Sequence, residues 1–306
     1  MLLAAPGHTQ AVNVPRGASI QRAIDLAPEG AVITIAPGVY REVLSITKAG
    51  ITLRGVDSNA TRTVIVFDNS AGTAGGTIKS ATVDVRGADF RAENLTFAND
   101  FNATHPQTSQ GSQALAIAVV ADRAVFRNVR FLGNQDTVYA SKGRQLFTNC
   151  YIEGNVDFIF GDGKSVFEDC EIHSTTHQGG FITAQGKSEA AQDNGFVFWR
   201  CRLTAELGVS HVWLGRPWRP FATVIFLETE MGEHIEPAGW REWHPGETEY
   251  LVTVHYSEYR STGPGAHASE RDPHTKHLTE ADTAQYRTEV YLSGPGGWKP
   301  KNQSSR

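Results

Sequence analysis

Four octapeptides share one alternation of apolar and polar positions: AVFRNVRF (124–131), QLFTNCYI (145–152), SVFEDCEI (165–172) and FVFWRCRL (196–203). Their third position is Phe126, Phe147, Phe167 and Phe198. Their fifth is Asn128, Asn149, Asp169 and then Arg200, and their sixth is Val129, Cys150, Cys170 and Cys201. FRAENLTF (90–97) is a weaker earlier copy, and the starts are separated by 34, 21, 20 and 31 residues. Each unit is short, β-branched and aromatic, with Gly, Asn or Asp at its ends, which is the chemistry of strands and turns. The stretches between units are too short for the crossover helices that an open parallel sheet needs. A coil of about 20 residues stacked on the one before, a parallel β-helix, is the economical solution. A β-sandwich also has many short strands, but the recurring sixth position suits a stack better than a Greek key. The ends predict covers. In SIQRAIDLAP (19–28), Ile20, Ala23, Ile24 and Ala27 fall on one helical face. In 278–292, Thr279 with Asp282 three residues later resembles a capping box. No linker interrupts the pattern, so one domain is expected over 1–306, with loose ends at 1–10 and 299–306.

A second template repeats within the first. GNQDTVYA (133–140) and GNVDFIFG (154–161) put Asp136 and Asp157 in one slot, 21 residues apart. Adjacent strands lie ~4.8 Å apart, so acids one coil apart are stacked neighbours. Two such carboxyls do not ionise equally, and an acid that holds its proton beside one that has lost it is an acid–nucleophile pair. A lone Asp in a solenoid turn reads as decoration. Two in register, each followed at +3 by an aromatic (Tyr139, Phe160), read as function.

Composition narrows the setting. With 306 residues, 40% hydrophobic and 20% charged, the chain is an ordinary globular one, and a net charge of −5 gives no nucleic-acid footprint. No apolar run is long enough to span a membrane as a helix. The start, MLLAAPGHTQA, lacks the basic region of a complete secretory signal. Cys150 and Cys170, one coil apart, suit a disulfide or a stack of buried thiols with Cys201 as third member. A bridge would require an oxidising compartment. No His/Cys/Asp cluster has metal-ligand spacing, and His173, His177, His211 and His255 read as loop or surface residues. Gln113 opens a strand running toward Asp136. LGRPWRP (214–220) sets Arg216 and Trp218 in a rigid turn. There an Arg holds a carboxylate ionised and an indole stacks on a sugar, or the turn is structural with a surface ion pair.

Taken in order, GVYRE (38–42), SATVDV (80–85), QALAIAV (113–119), GNQDTVYA, GNVDFIFG and LGRPWRP resemble the pectin methylesterases over about residues 10–295. GEHIEPAGWREW (232–243) is similar to the bacterial style of that family. The resemblance implies a right-handed parallel β-helix that removes the C6 methyl esters of galacturonate in pectin and releases methanol. It implies Asp157 as nucleophile, Asp136 as general acid and then base, and Gln113 and Gln135 as the amides that hold the oxyanion. Arg216 would pair with the nucleophile. Trp218, Tyr139 and Phe160 would line the sugar groove, Thr82 would touch substrate, and Cys150 and Cys170 match a pair bridged in some members. It further implies no cofactor, no metal, a monomer, and a secreted or periplasmic location.

The sequence departs from the family pattern in two places. Asp162-Gly163 follows VDFIFG where Asn is usual, placing an extra acid beside the nucleophile. Asn99-Asp100-Phe101 precedes a polar loop, 101–113. A pectate lyase or polygalacturonase would share the fold, but the two glutamine amides suit acyl chemistry and no acidic cluster suggests calcium. An esterase or thioesterase acting on another acyl substrate, or a non-catalytic β-helix, are the remaining readings.

Overall fold

The structure, a computed structural model, describes residues 11–108, 110–175, 179–294 and 296–300. Residues 1–10 and 301–306 and His177 lie outside the described residues. Parallel ladders run the length of the chain: seventeen strands join in one hydrogen-bonded set and seven in another. Each octapeptide contributes to the large set in the register that its pattern predicts, with Phe126 opposite Phe147, Phe147 opposite Phe167, Phe167 opposite Phe198 and Phe198 opposite Phe226. The four steps of this column are stacked rings, each with centroids 4.6 Å apart. A buried Phe is worth ~3–5 kcal/mol against Ala, so the column is a main support of the interior.

The corner after each first strand explains the fifth position. Asn94, Asn128, Asn149, Asp169, Arg200, Glu228 and Arg260 all have positive φ, from 47° to 57°. Asn and Asp tolerate this left-handed state better than other side chains. The sixth position turns inward: Cys150, Cys170 and Cys201 are buried and free. Each thiol gives its hydrogen to backbone carbonyls, Cys150 to Thr148, Cys170 to Glu168 and Cys201 to Phe167. Of the two readings of the Cys150–Cys170 spacing, the structure has the column of three buried thiols and not the bridge. Burial pushes the Cys170 and Cys201 thiols well above their usual range.

The first cover forms as predicted. Helix Ile20–Leu26 buries Ile20 and Ile24, and Ser19 caps it by accepting from the Arg22 N–H. Glu42, the acid of GVYRE, accepts from the Ile20 and Gln21 N–H groups and from the Ser19 hydroxyl. The capping box of Thr279 and Asp282 is also present, on the short helix Glu280–Thr283. That C-terminal segment does not close an end, however. It lies along the outside of the large sheet, where Tyr286, Leu292 and Trp298 pack on Val125, Leu146, Val166, Val197 and Ile225. Position 300 is not loose: Pro300 is buried and its carbonyl accepts from Arg127. The core column ends instead at Trp240 and Tyr256, whose rings stack at 3.9 Å.

Candidate active site

The smaller set of strands carries the cleft. Its central members are Ile117–Val119, Val138–Ala140, Val156–Gly161 and Gly180–Gln185. Val138 pairs with Ile159 and Tyr139 with Phe160, an offset of 21 that places Asp136 and Asp157 in one register as expected. The paired Gly-Asn openings have a steric cause. A Cβ on Gly133 would meet the Thr137 hydroxyl at 2.7 Å, and one on Gly154 would meet Phe158 Cβ at 2.2 Å. Both acids take positive φ, 66° at Asp136 and 50° at Asp157. This backbone state is costly away from Gly and concentrates at functional sites.

A cleft of about 390 Å³ is lined by Gln113, Gln135, Asp136, Asp157, Tyr139, Phe160, Arg216 and Trp218, so all but one of the predicted catalytic and substrate-binding residues meet there. The exception is Thr82. It is fully buried and donates its hydroxyl to the Ala98 carbonyl, so it faces the interior and not a ligand. Gln113 and Gln135 come from consecutive coils, joined by the Ala114 N–H donating to the Gln135 carbonyl at 3.3 Å. Tyr139 and Phe160 stack obliquely at 4.8 Å, and Phe160 meets the Trp218 ring edge-on at 5.9 Å.

The two acids are unlike. Arg216 donates from Nε to Asp157 Oδ1 at 2.9 Å and from Nη2 to Oδ2 at 2.6 Å, a fork that fits a carboxylate. Asp136 is 8% exposed, and its carboxyl makes no hydrogen bond to the described residues. Burial raises the pKa of both acids. At Asp157 the Arg216 fork opposes the rise. At Asp136 the negative charge of Asp157 adds to it, pushing Asp136 well above the usual carboxylate range. Asp157 is the acid that ionises first, and Asp136 the one that keeps its proton.

Neither sequence departure reaches the cleft as an acid. Asp162 accepts from the Ser141 hydroxyl at 2.5 Å and the Lys142 N–H at 3.2 Å, so it ties down the turn that follows strand Val138–Ala140. Asp100 pairs with Arg41. Asn99 is a clamp: its amide donates to the carbonyls of Asn69, Ser80 and Leu115, holding the wall at Thr77–Ser80 against the segment that carries Gln113, which precedes strand Ile117–Val119 and does not open it as expected. Thr77, Ile78, Ala184 and Trp243 also line the cleft and were missed in the sequence. Trp243 lies in the quoted GWREW, where nothing but structure separates it from the buried Trp240 three residues earlier.

Comparison with known proteins agrees with this geometry. The pectinesterase family model matches residues 7–295. Pectinesterase 31 of Arabidopsis thaliana is 39% identical over 286 residues, covering 88% of this chain and 86% of its own. Putative pectinesterase 14 of the same plant is 38% identical, covering 90% and 82%. Among solved structures, pectin methylesterase from carrot superposes with a TM-score of 0.84 at 30% identity, covering 96% of this chain and 95% of its own. The Erwinia chrysanthemi enzyme superposes with a TM-score of 0.81 at 30% identity, covering 97% and 99%. The fold is the right-handed parallel β-helix of these enzymes. The curated relatives named are plant enzymes, so the expected bacterial style is not supported. On the family match and these relatives, the chain belongs to the pectinesterase family and is a carboxylic ester hydrolase.

Proposed function

We propose that the chain removes the C6 methyl esters of galacturonate units in pectin, with Asp157 as nucleophile and Asp136 as acid and then base. The observation that carries this reading is the inequality of the two acids in one cleft. Asp157 is held by the Arg216 fork, and the Asp136 carboxyl has no hydrogen-bond partner among the described residues. The carboxylate of Asp157 attacks the ester carbonyl. The oxyanion that forms is met by the side-chain amides of Gln113 and Gln135, which stabilise it without adding charge. Asp136, protonated, gives its proton to the leaving methoxide, and methanol departs. An anhydride between substrate and Asp157 remains. Asp136, now ionised, takes a proton from water as the water attacks, and Asp157 leaves as carboxylate with Asp136 protonated again.

The aromatic lining of Tyr139, Phe160 and Trp218 suits sugar rings, which favours a polysaccharide over another acyl substrate. A related pectin methylesterase is known in complex with a hexasaccharide. We further propose one domain acting as a monomer, because one chain supplies the whole cleft and a single core cluster runs from Val14 to Tyr256. Action outside the cell follows the habit of the family. The test is to supply highly methylated pectin and follow methanol and polymer length together. Methanol released at constant length is the expected result. Shortened chains would make it a lyase or glycosidase, and no methanol would sink the assignment.

A further inference from the structure

Arg216 is held from three directions. Its fork grips Asp157, its Nη1 donates to the Trp243 carbonyl at 3.4 Å, and its guanidinium lies over two aromatic rings. The guanidinium carbon lies 4.1 Å from the centre of the Phe181 ring and 4.3 Å from that of Trp243. Phe181 belongs to strand Gly180–Gln185 and pairs with Val156, the neighbour of Asp157. Trp243 belongs to the segment after Trp240 and lines the cleft, whereas Phe181 does not. A guanidinium is weakly hydrated across its faces and binds aromatic rings there, more strongly where water is excluded. With two rings against it, the Arg216 side chain is only 19% exposed. Its planar fork points edge-on at Asp157.

We propose that Phe181 and Trp243 form an aromatic clamp that positions Arg216, making Phe181 a positioning residue for the esterase reaction although it does not line the cleft. This rests on the functional reading above. Trp243 has a double part, since the same indole that holds Arg216 is a wall against which the substrate sits. Occupancy of the cleft therefore tightens the cover over the ion pair, and loss of the clamp lets water and other rotamers compete for Arg216. The ionisable groups that feel the charge of Asp157 are Asp136, Arg216 and the buried Tyr256. Phe181 and Trp243 carry no charge, so any effect of replacing them on Asp157 passes through Arg216.

Phe181→Leu keeps bulk and apolar character but removes the π face. The expected result is a fall in kcat of roughly three- to tenfold with KM within about twofold, and an acidic limb of kcat/KM moved up by about half a pH unit. The limb moves up because a loosened Arg216 stabilises the anion of Asp157 less. Phe181→Tyr restores both. Trp243→Leu loses kcat and raises KM together, because Trp243 also meets substrate. Carbon-13 NMR titration of the Asp157 carboxyl reads the same shift without substrate. If the titration moves while the wild type releases no methanol from pectin, the clamp stands and the substrate assignment falls. A folded Phe181→Leu enzyme with unchanged kcat and an unmoved Asp157 titration overturns the clamp.

Discussion

Along one corner of the solenoid, Asn94, Asn128, Asn149, Asp169, Arg200, Glu228 and Arg260 take left-handed φ, and on the cleft side Asp136 and Asp157 take it too. The corner residues repeat a conformation and satisfy it locally. The Asn128 amide donates to the Asn94 side chain at 2.8 Å, and Arg200 pairs with Asp169. The acids repeat the conformation and then diverge, since Asp157 receives a bidentate arginine and the Asp136 carboxyl receives no hydrogen bond from the described residues. Stacking thus serves two ends. Where neighbouring coils carry interchangeable side chains it builds a ladder, and where they carry identical acids in unequal surroundings it builds a reactive pair.

The sharpest way to break this contrast is to treat the acids as ladder members. Asp157→Ala and Asp136→Ala should each lower methanol release by about 10³-fold or more. Circular dichroism and melting should show that both variants still fold. A variant that keeps near-wild-type turnover would mean that the pair is ornament, like the corner.

Much of this division was legible in the sequence. The coil length, the Phe column and the slot shared by Asp136 and Asp157 follow from strand periodicity, because residues one coil apart must lie side by side. Arg216 was legible as a partner because its rigid turn offers a guanidinium. Other features needed three dimensions. Thr82 directly precedes Val83, which faces in, so alternation points it outward, and only its burial and the hydrogen bond to Ala98 show that it turns inward too. Trp240 and Trp243 have the same residue type and three-residue spacing, yet one ends the core column and the other covers Arg216. Chain order does not say where an irregular segment returns to the solenoid. The Cys150–Cys170 spacing allowed a bridge, and the inward direction of each thiol decided against it.

The unpartnered state of Asp136 has a stability signature that the corner lacks. Its folded pKa lies well above the unfolded value of about 4. Between those two values the folded state binds the proton and the unfolded state does not. Stability is therefore lost as pH rises from about 4 through the folded pKa, at ~1.4 kcal/mol per pH unit of separation. Asp136→Asn removes this cost and keeps a side chain that tolerates positive φ. Its melting temperature should exceed the wild type's by several degrees at pH 7 and converge with it below pH 4. A variant less stable than wild type at pH 7 would show Asp136 to be structurally satisfied after all.

The corner makes the opposite and smallest prediction. Asn149 has φ of 51° and an exposed side chain, and its backbone N–H donates to the Glu168 carbonyl at 3.1 Å. What the position requires is a backbone state, with no chemistry at the side chain. Asn149→Gly should therefore leave stability within a few tenths of a kcal/mol, whereas Asn149→Ala should cost about 1 kcal/mol because a Cβ resists the left-handed region. Urea unfolding distinguishes the two, with the midpoint lowered in the Ala variant alone and the m-value unchanged. Methanol release per folded molecule should be the same in both, since the corner is built on the larger set of strands and the cleft on the smaller. A fall in turnover that tracks the Ala substitution would show that strain at one corner reaches the acids, and the two uses of the stack would then be one.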